Sequence, residues 1–271
     1  MFLKQYLNRF FGLLIACIIP LTGFSQASFD EKLTTAGNIR MTINNLGMIG
    51  NAFKGSYNIL AYPSCEFPAN SGIEHLFQGG LWIGAMINGS QVAVSSGATD
   101  DAAGYTTGKS GFEFTAALGA KIKERSSLID NPLYETNAIS HQDFLSDFTD
   151  KNIVVPGTNI AISSHNFPLG ADLHFESYNY NFNFANYFVI LNYTITNNST
   201  TNWDSVFIGY WKDGVVRNIN VTPPGGSAFY NKGGNGFLDS LDIAYEFDGN
   251  GDPGFTETYV GLKYLGSIDP A

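Results

Sequence analysis

The sequence predicts a mainly β fold, an antiparallel β-sandwich of jelly-roll or immunoglobulin-like type with few short helices, on three observations. Apolar and polar residues alternate with period two over several segments, the spacing that turns one strand face inward and the other to solvent. Asn and Gly are abundant, 26 and 30 residues, and both tolerate the left-handed backbone of tight turns, so the chain is built to reverse often. The 14 Tyr and 22 Phe residues favour strands.

The clearest element is a hairpin. Leu81 to Ile87 is an apolar run, Asn88-Gly89 follows, and Ser90 to Ser95 returns. Asn-Gly between two such runs is the strongest short hairpin signal, because both turn positions want positive φ. A second hairpin is predicted from Tyr187–Thr196, crossing Asn197–Asp204 and returning through Ser205–Trp211. In its first arm Tyr187, Val189, Leu191, Tyr193 and Ile195 share one face, opposite Asn192, Thr194 and Thr196. Further strands are expected at Asn38–Ile43, Phe112–Ala116, Ala171–Asn179, Leu241–Phe247 and Tyr259–Leu265. Ser140-His141-Gln142-Asp143 resembles a capping box and predicts two helical turns over Ser140–Phe148. Ala117–Arg125 fits helix or strand equally. A soft boundary at Pro156-Gly157 separates an irregular β-rich region, residues 28–155, from a strand-rich sandwich region, residues 156–271, the two forming either separate units or one continuous domain.

Residues 1–27 read as a secretory signal peptide. Lys4 and Arg9 supply the positive start, Phe10–Ile19 the apolar run, and Ser25-Gln26-Ala27 the small-residue cleavage site. The run is shorter than the roughly 18 apolar residues of a membrane span, so the mature chain is expected to carry no transmembrane segment. Leu14-Ile15-Ala16-Cys17 loosely resembles a lipobox, but the apolar stretch before Cys17 is very short. All 24 acidic residues lie after position 27, against 12 of the 14 basic ones. Such an acidic surface repels phosphate backbones and argues against nucleic acid as a partner. Cys65 alone remains after cleavage, so no internal disulfide can form, and a buried small hydrophobe is the simplest role for it.

Three constellations are candidate sites. Asp248, Asn250 and Asp252 alternate in a glycine-rich turn, with Glu246 or Glu257 able to complete an oxygen shell, which makes calcium the candidate cofactor. The metal-free alternative is an Asx-rich turn between two strands. Asp172, His174 and Glu176 are spaced by two, so a strand would place them on one face, where a histidine and two carboxylates can hold a transition metal. The plain alternative is an ordinary solvent face opposite Leu173 and Phe175. Tyr178 and Tyr180 continue that row and could stack on sugar rings. Trp203, in a polar stretch, is the tryptophan expected to make an exposed ligand contact, while Trp82 and Trp211 sit in apolar runs and belong to the core. Sequence motifs for serine hydrolases, zinc proteases and nucleotide-binding loops are absent. Glycosidase carboxylates leave no local signature, and Glu74-His75 and Asp100-Asp101 are possible members of such a pair.

Several blocks resemble the opening of large secreted proteins of Bacteroidota and related phyla, commonly uncharacterised cargo of the type IX secretion system. They are Asn38-Ile39-Arg40 with Asn45-Leu46-Gly47, Pro63–Pro68, Ser71–Phe77, Gly79–Gly84, Phe188–Asn197 and Tyr259–Gly266. The resemblance implies export to the cell surface or medium and brings no activity or catalytic residues. Such cargo ends in a β sorting domain that engages the type IX secretion machinery. None is recognisable before Ala271, so the expectation is a piece of a longer protein; without such a domain the destination is the periplasm. The function expected from the sequence is a secreted or cell-surface module for adhesion or carbohydrate binding, with extracellular glycans or other surface proteins as partners. A polysaccharide-active hydrolase and a purely structural module are the alternatives.

Overall fold

The structure is a computed structural model that describes residues 29–53, 62–99, 111–116, 120–221, 233–250 and 256–268. The predicted signal segment, Asp100-Asp101 and Asp252 lie outside these residues.

The longest early run of apolar alternation becomes the spine of the molecule, β5 (Ile73–Ile87). Before it come β1 (Glu31–Leu33), β2 (Arg40–Asn44), β3 (Met48–Gly50) and β4 (Cys65–Glu66); after it comes β6 (Gln91–Ser96). One edge of β5 is shared by three short partners: β6 along Trp82–Ile87, β3 at Gln78–Gly80 and β4 at Glu74. The other edge pairs with β12 (Trp203–Asn218), from Ile87↔Trp203 to Ile73↔Asn218. With β1 and β2 added, this makes a seven-stranded antiparallel sheet. The β5–β6 connection is the anticipated Asn-Gly turn: Asn88 and Gly89 have φ of 49° and 69°, and the Ser90 N–H donates to the Ile87 carbonyl.

The second sheet has five strands: β7 (Thr115–Ala116), β8 (Lys123–Arg125), β9 (Gln142–Thr149), β10 (Ala171–Asn179) and β11 (Val189–Asn197), with β7 and β8 both pairing β9. The two sheets pack face to face. Ile43, Leu76, Leu81 and Ile83 of the first sheet meet Phe144, Phe148, Leu173 and Phe175 of the second in one buried cluster. Cys65 lies in this cluster as a free thiol, and burial pushes it up to about 12, so it packs as a hydrophobe and does not ionise. A third sheet, β13 (Gly233–Leu238), β14 (Ile243–Asp248) and β15 (Val260–Lys263), packs on β12, where Lys212 pairs with Glu246. A 3₁₀ turn at Asp239–Leu241 is the helical element among the described residues. The chain is thus mainly β, with antiparallel sheets in a sandwich.

Two local expectations are overturned. Ser140–Phe148 is not helical: Gln142–Thr149 is β9. The capping-box contact is nevertheless present, because Asp143 accepts the Ser140 N–H at 2.8 Å and its hydroxyl at 2.6 Å. That reach-back closes a turn entering the strand, while Phe144 and Phe148 alternate into the core and dictate extended backbone. The second predicted hairpin also does not form. β11 pairs with β10 and β12 pairs with β5, so the Asn198–Asn202 connection is an arch that carries the chain from one sheet to the other. Period-two alternation holds within the strand, since Val189, Leu191, Tyr193 and Ile195 all face the core, while Tyr187, before β11 begins, is 54% exposed. Alternation says which face is buried and nothing about the neighbour along the edge. Both sheets draw strands from either side of Pro156-Gly157.

A row of charge crosses the first sheet, with Arg40 opposite Glu66, Glu66 opposite Glu74 and Glu74 opposite Arg217. Glu66 binds Arg40 at 3.1 Å and accepts the N–H groups of Asn70 and Gly72. Glu74 accepts the N–H groups of Ser64 and Cys65. Burial nevertheless raises it from 4.5 to about 7, the two N–H groups and Arg217 opposing the shift and Glu66 adding to it.

Phe144 is 1% exposed. Phe144→Ala is expected to cost about 3–5 kcal/mol in chemical denaturation, the usual loss for emptying a buried aromatic site. A carboxyl that holds its proton more tightly folded than unfolded stabilises the fold below its ordinary pKa and loses that contribution as pH rises through the folded value. Glu74 therefore stabilises the protein below about 4.5, and the contribution is gone above about 7. Glu74→Gln should flatten the fall in melting temperature across that window relative to the unmodified chain. A residual slope should remain from Glu31, which burial and Asp30 raise to about 7 as well.

Candidate carbohydrate-binding site

The five-stranded sheet ends, away from the arch, where β9 begins at Gln142, β10 stops at Asn179 and β11 starts at Val189. Three loops meet there. The β1–β2 loop comes down from the other sheet, with Asn38 N–H donating to Asn186 O at 2.6 Å. Gly37 allows this approach: a Cβ there would stand 2.6 Å from the Asn179 side chain and 2.8 Å from the Tyr180 carbonyl. The β8–β9 loop is braced by its own bonds, Ser126 N–H to Leu133 O, Glu135 N–H to Ser126 O and the Ser126 hydroxyl to His141 O. The β10–β11 loop contributes the third wall.

Between them lies a recess of about 250 Å³, lined by Thr35, Glu124, Asn131, His141, Gln142 and Asn181 among others. It falls just under the roughly 300–1,000 Å³ of most small-molecule sites. Gln142 organises its floor. The amide oxygen accepts Thr35 N–H at 2.7 Å and Ala36 N–H at 3.2 Å, while the amide nitrogen donates to the Thr35 hydroxyl at 3.1 Å and to Glu124 at 2.9 Å. Both ends of the side chain are in use, which locks its rotamer.

A ledge of rings runs beside the recess. Tyr180 and Phe182 stack with centroids 6.1 Å apart and planes 20° apart; Phe182 and Phe184 follow at 5.4 Å and 5°. His141 meets Phe182 edge-on at 4.6 Å, and its Nδ1 accepts Asn181 N–H at 2.9 Å. Phe182 is 46% exposed and Phe184 is 72% exposed. Their spacing is fixed by a turn in which Ala185 N–H donates to Phe182 O at 2.8 Å while Ala185 itself is buried. Both rings leave apolar surface open to water that a ligand's apolar face can cover.

The sequence candidates fall in several places. Asp172, His174 and Glu176 do share the outer face of β10, each half-buried between buried neighbours. Each is engaged there: Asp172 with Lys151 at 2.7 Å and Asn198 at 2.5 Å, His174 with Asp147 at 2.7 Å, Glu176 with Arg125 at 2.9 Å. Arg125 also binds the buried Asp143 at 2.9 Å. Tyr178 is buried and donates to Glu176 at 2.5 Å; burial first, and that carboxylate second, push its phenol up to about 12. Tyr180 stands past the strand end, half-buried, and opens the ledge. Trp203 is not on a loop: it begins β12, packs against the core, and donates its indole N–H to Leu169 O at 3.1 Å. Trp82 and Trp211 are half-buried, with the Trp82 indole donating to Ala98 O at 2.7 Å. Glu246 is held by Lys212, and Asn250 N–H donates to Asp248 at 3.1 Å in an Asx turn. Among the described residues no group of three His, Cys, Asp or Glu side chains is gathered to hold a metal ion, and no helix is long and apolar enough to cross a membrane. Glu74 and His75 are both buried, His75 lying 2.8 Å from the Thr258 hydroxyl, and burial lowers its imidazole to about 4.

Phe182 and Phe184 were not singled out from the sequence, although the run Tyr180-Asn181-Phe182-Asn183-Phe184 alternates aromatic and amide side chains with no room for a core-facing strand. Comparison with known families, curated proteins and solved structures finds no match to this chain.

Arg125 and Asp143 are both almost fully buried. Arg125→Ala should destabilise the protein by about 3–5 kcal/mol in denaturant titration, since it removes the cation paired with the buried Asp143.

Proposed function

We propose that this chain is a secreted or cell-surface β-sandwich module that binds carbohydrate through the Tyr180–Phe184 ledge and the recess beside it. The observation that carries the reading is the pair of mutually stacked, solvent-exposed phenyl rings next to a recess lined mainly by hydroxyl, amide and carboxylate groups. Sugars present the matching chemistry, an apolar C–H face for rings and a rim of hydroxyls for polar groups. Aromatic side chains offer such a face at low conformational cost. Export rests on the signal segment and on the resemblance to secreted Bacteroidota proteins, and a route through the type IX machinery belongs to the same proposal.

The hydrolase alternative asks for an accessible carboxylate pair. Glu66 and Glu74 stand directly opposite each other, yet both are buried and committed to backbone N–H groups. This pair does not serve a hydrolase, and the exposed rings favour binding.

A glycan array probed with the full exported chain tests it. At least one glycan should bind, and Phe182→Ala and Phe184→Ala should each weaken that binding about tenfold with little change in melting temperature, both rings being exposed. Glycan binding untouched by both substitutions would remove the ledge from the reading.

A further inference from the structure

Glu124 sits in the wall of the recess. It is the charged residue among the described lining side chains. One carboxylate oxygen accepts the Gln142 amide at 2.9 Å; the other lies 3.9 Å from the Lys32 ammonium, an ion pair beyond hydrogen-bond distance, so that oxygen keeps its acceptor lone pairs. Gln142 is saturated by Thr35, Ala36 and Glu124, so it acts as a positioning residue that holds the carboxylate toward the recess. A fixed carboxylate is a strong acceptor for hydroxyl groups, and it repels anionic ligands. The surroundings add to that repulsion, since acidic residues outnumber basic ones over the chain, 24 to 14.

We infer that the recess and ledge recognise an uncharged glycan, with Glu124 accepting ring hydroxyls and excluding uronate, sulfated and phosphorylated sugars. The recess has room for one sugar unit, and the exposed Phe182 and Phe184 rings beside it offer apolar surface to a neighbouring unit. This inference rests on the carbohydrate reading above and adds a ligand class and a specificity residue to it. Peptides could also lie on exposed rings. A saturated polar floor with a single acceptor carboxylate offers them no row of backbone partners, and sugars are the better match.

Isothermal titration of the full exported chain with gluco-, manno- and chito-oligosaccharides, alongside oligogalacturonate and a mixed peptide library, tests the inference. At least one of the neutral series should bind and oligogalacturonate should not. Glu124→Gln, which keeps the shape and the Gln142 contact, should lower the neutral affinity about tenfold and narrow the gap between neutral and acidic ligands, with the melting temperature unchanged. Oligogalacturonate binding as tightly as the neutral sugars, or neutral affinity indifferent to Glu124→Gln, would overturn the specificity while leaving the ledge intact. Neutral binding that survives both Phe182→Ala and Phe184→Ala, or binding of peptides in place of sugars, would overturn the site itself.

Discussion

β5 is held by hydrogen bonds on both edges along its length, and the rest of the sandwich depends on that ladder. Its inward residues Leu76, Leu81, Ile83 and Ala85 provide the floor on which the second sheet packs. The edges differ in kind. One is filled by a single long partner, β12, with register shifts at three points; the other is divided among three short strands whose connections can vary without disturbing the spine. A central strand of this kind fixes the register of everything beside it, because a slip by one residue would turn Ile83 outward and Trp82 inward.

Polar groups are organised as firmly as apolar ones. On the outer face of the second sheet Arg125, Asp143, Glu176 and Tyr178 form one connected set, and in the first sheet Arg40, Glu66, Glu74 and Arg217 lie in register across four strands. Buried charges are costly unless paired and hydrogen-bonded. Here backbone N–H groups meet much of that demand, which lets a chain with 14% charged residues keep several of them inside. With Cys65 a free, buried thiol, these networks and the core hold the described fold without a covalent staple.

Much of this was legible in the sequence, because strand alternation is local. Ala171–Asn179 was delimited to the residue, the Asn88-Gly89 turn was found, and the inward face of β11 was named correctly. What failed was non-local. Nothing near Asn197–Asp204 says that β11 and β12 join different sheets, and Ser140–Asp143 makes a capping contact that serves a strand as readily as a helix. The site was half legible. Tyr180 was picked for its row, but its partners Phe182 and Phe184 lie beyond the strand, and the recess depends on Thr35 and Gln142, which no sequence pattern brings together. Trp203 looked available because its neighbours are polar; its partner, the Leu169 carbonyl, lies on another segment of the chain.

The arch between β11 and β12 also sets the order in which the molecule can assemble. β5 is complete by Ile87, but its long partner begins only at Trp203, after the whole of the second sheet has been traversed. One edge of the spine therefore stays open until nearly the last strands are available, and closing it brings together residues as distant as Ile73 and Asn218. Such closures are entropically slow, and an unfilled apolar edge is prone to wrong partners in the meantime. A chain with this wiring cannot close its spine until β12 is in place.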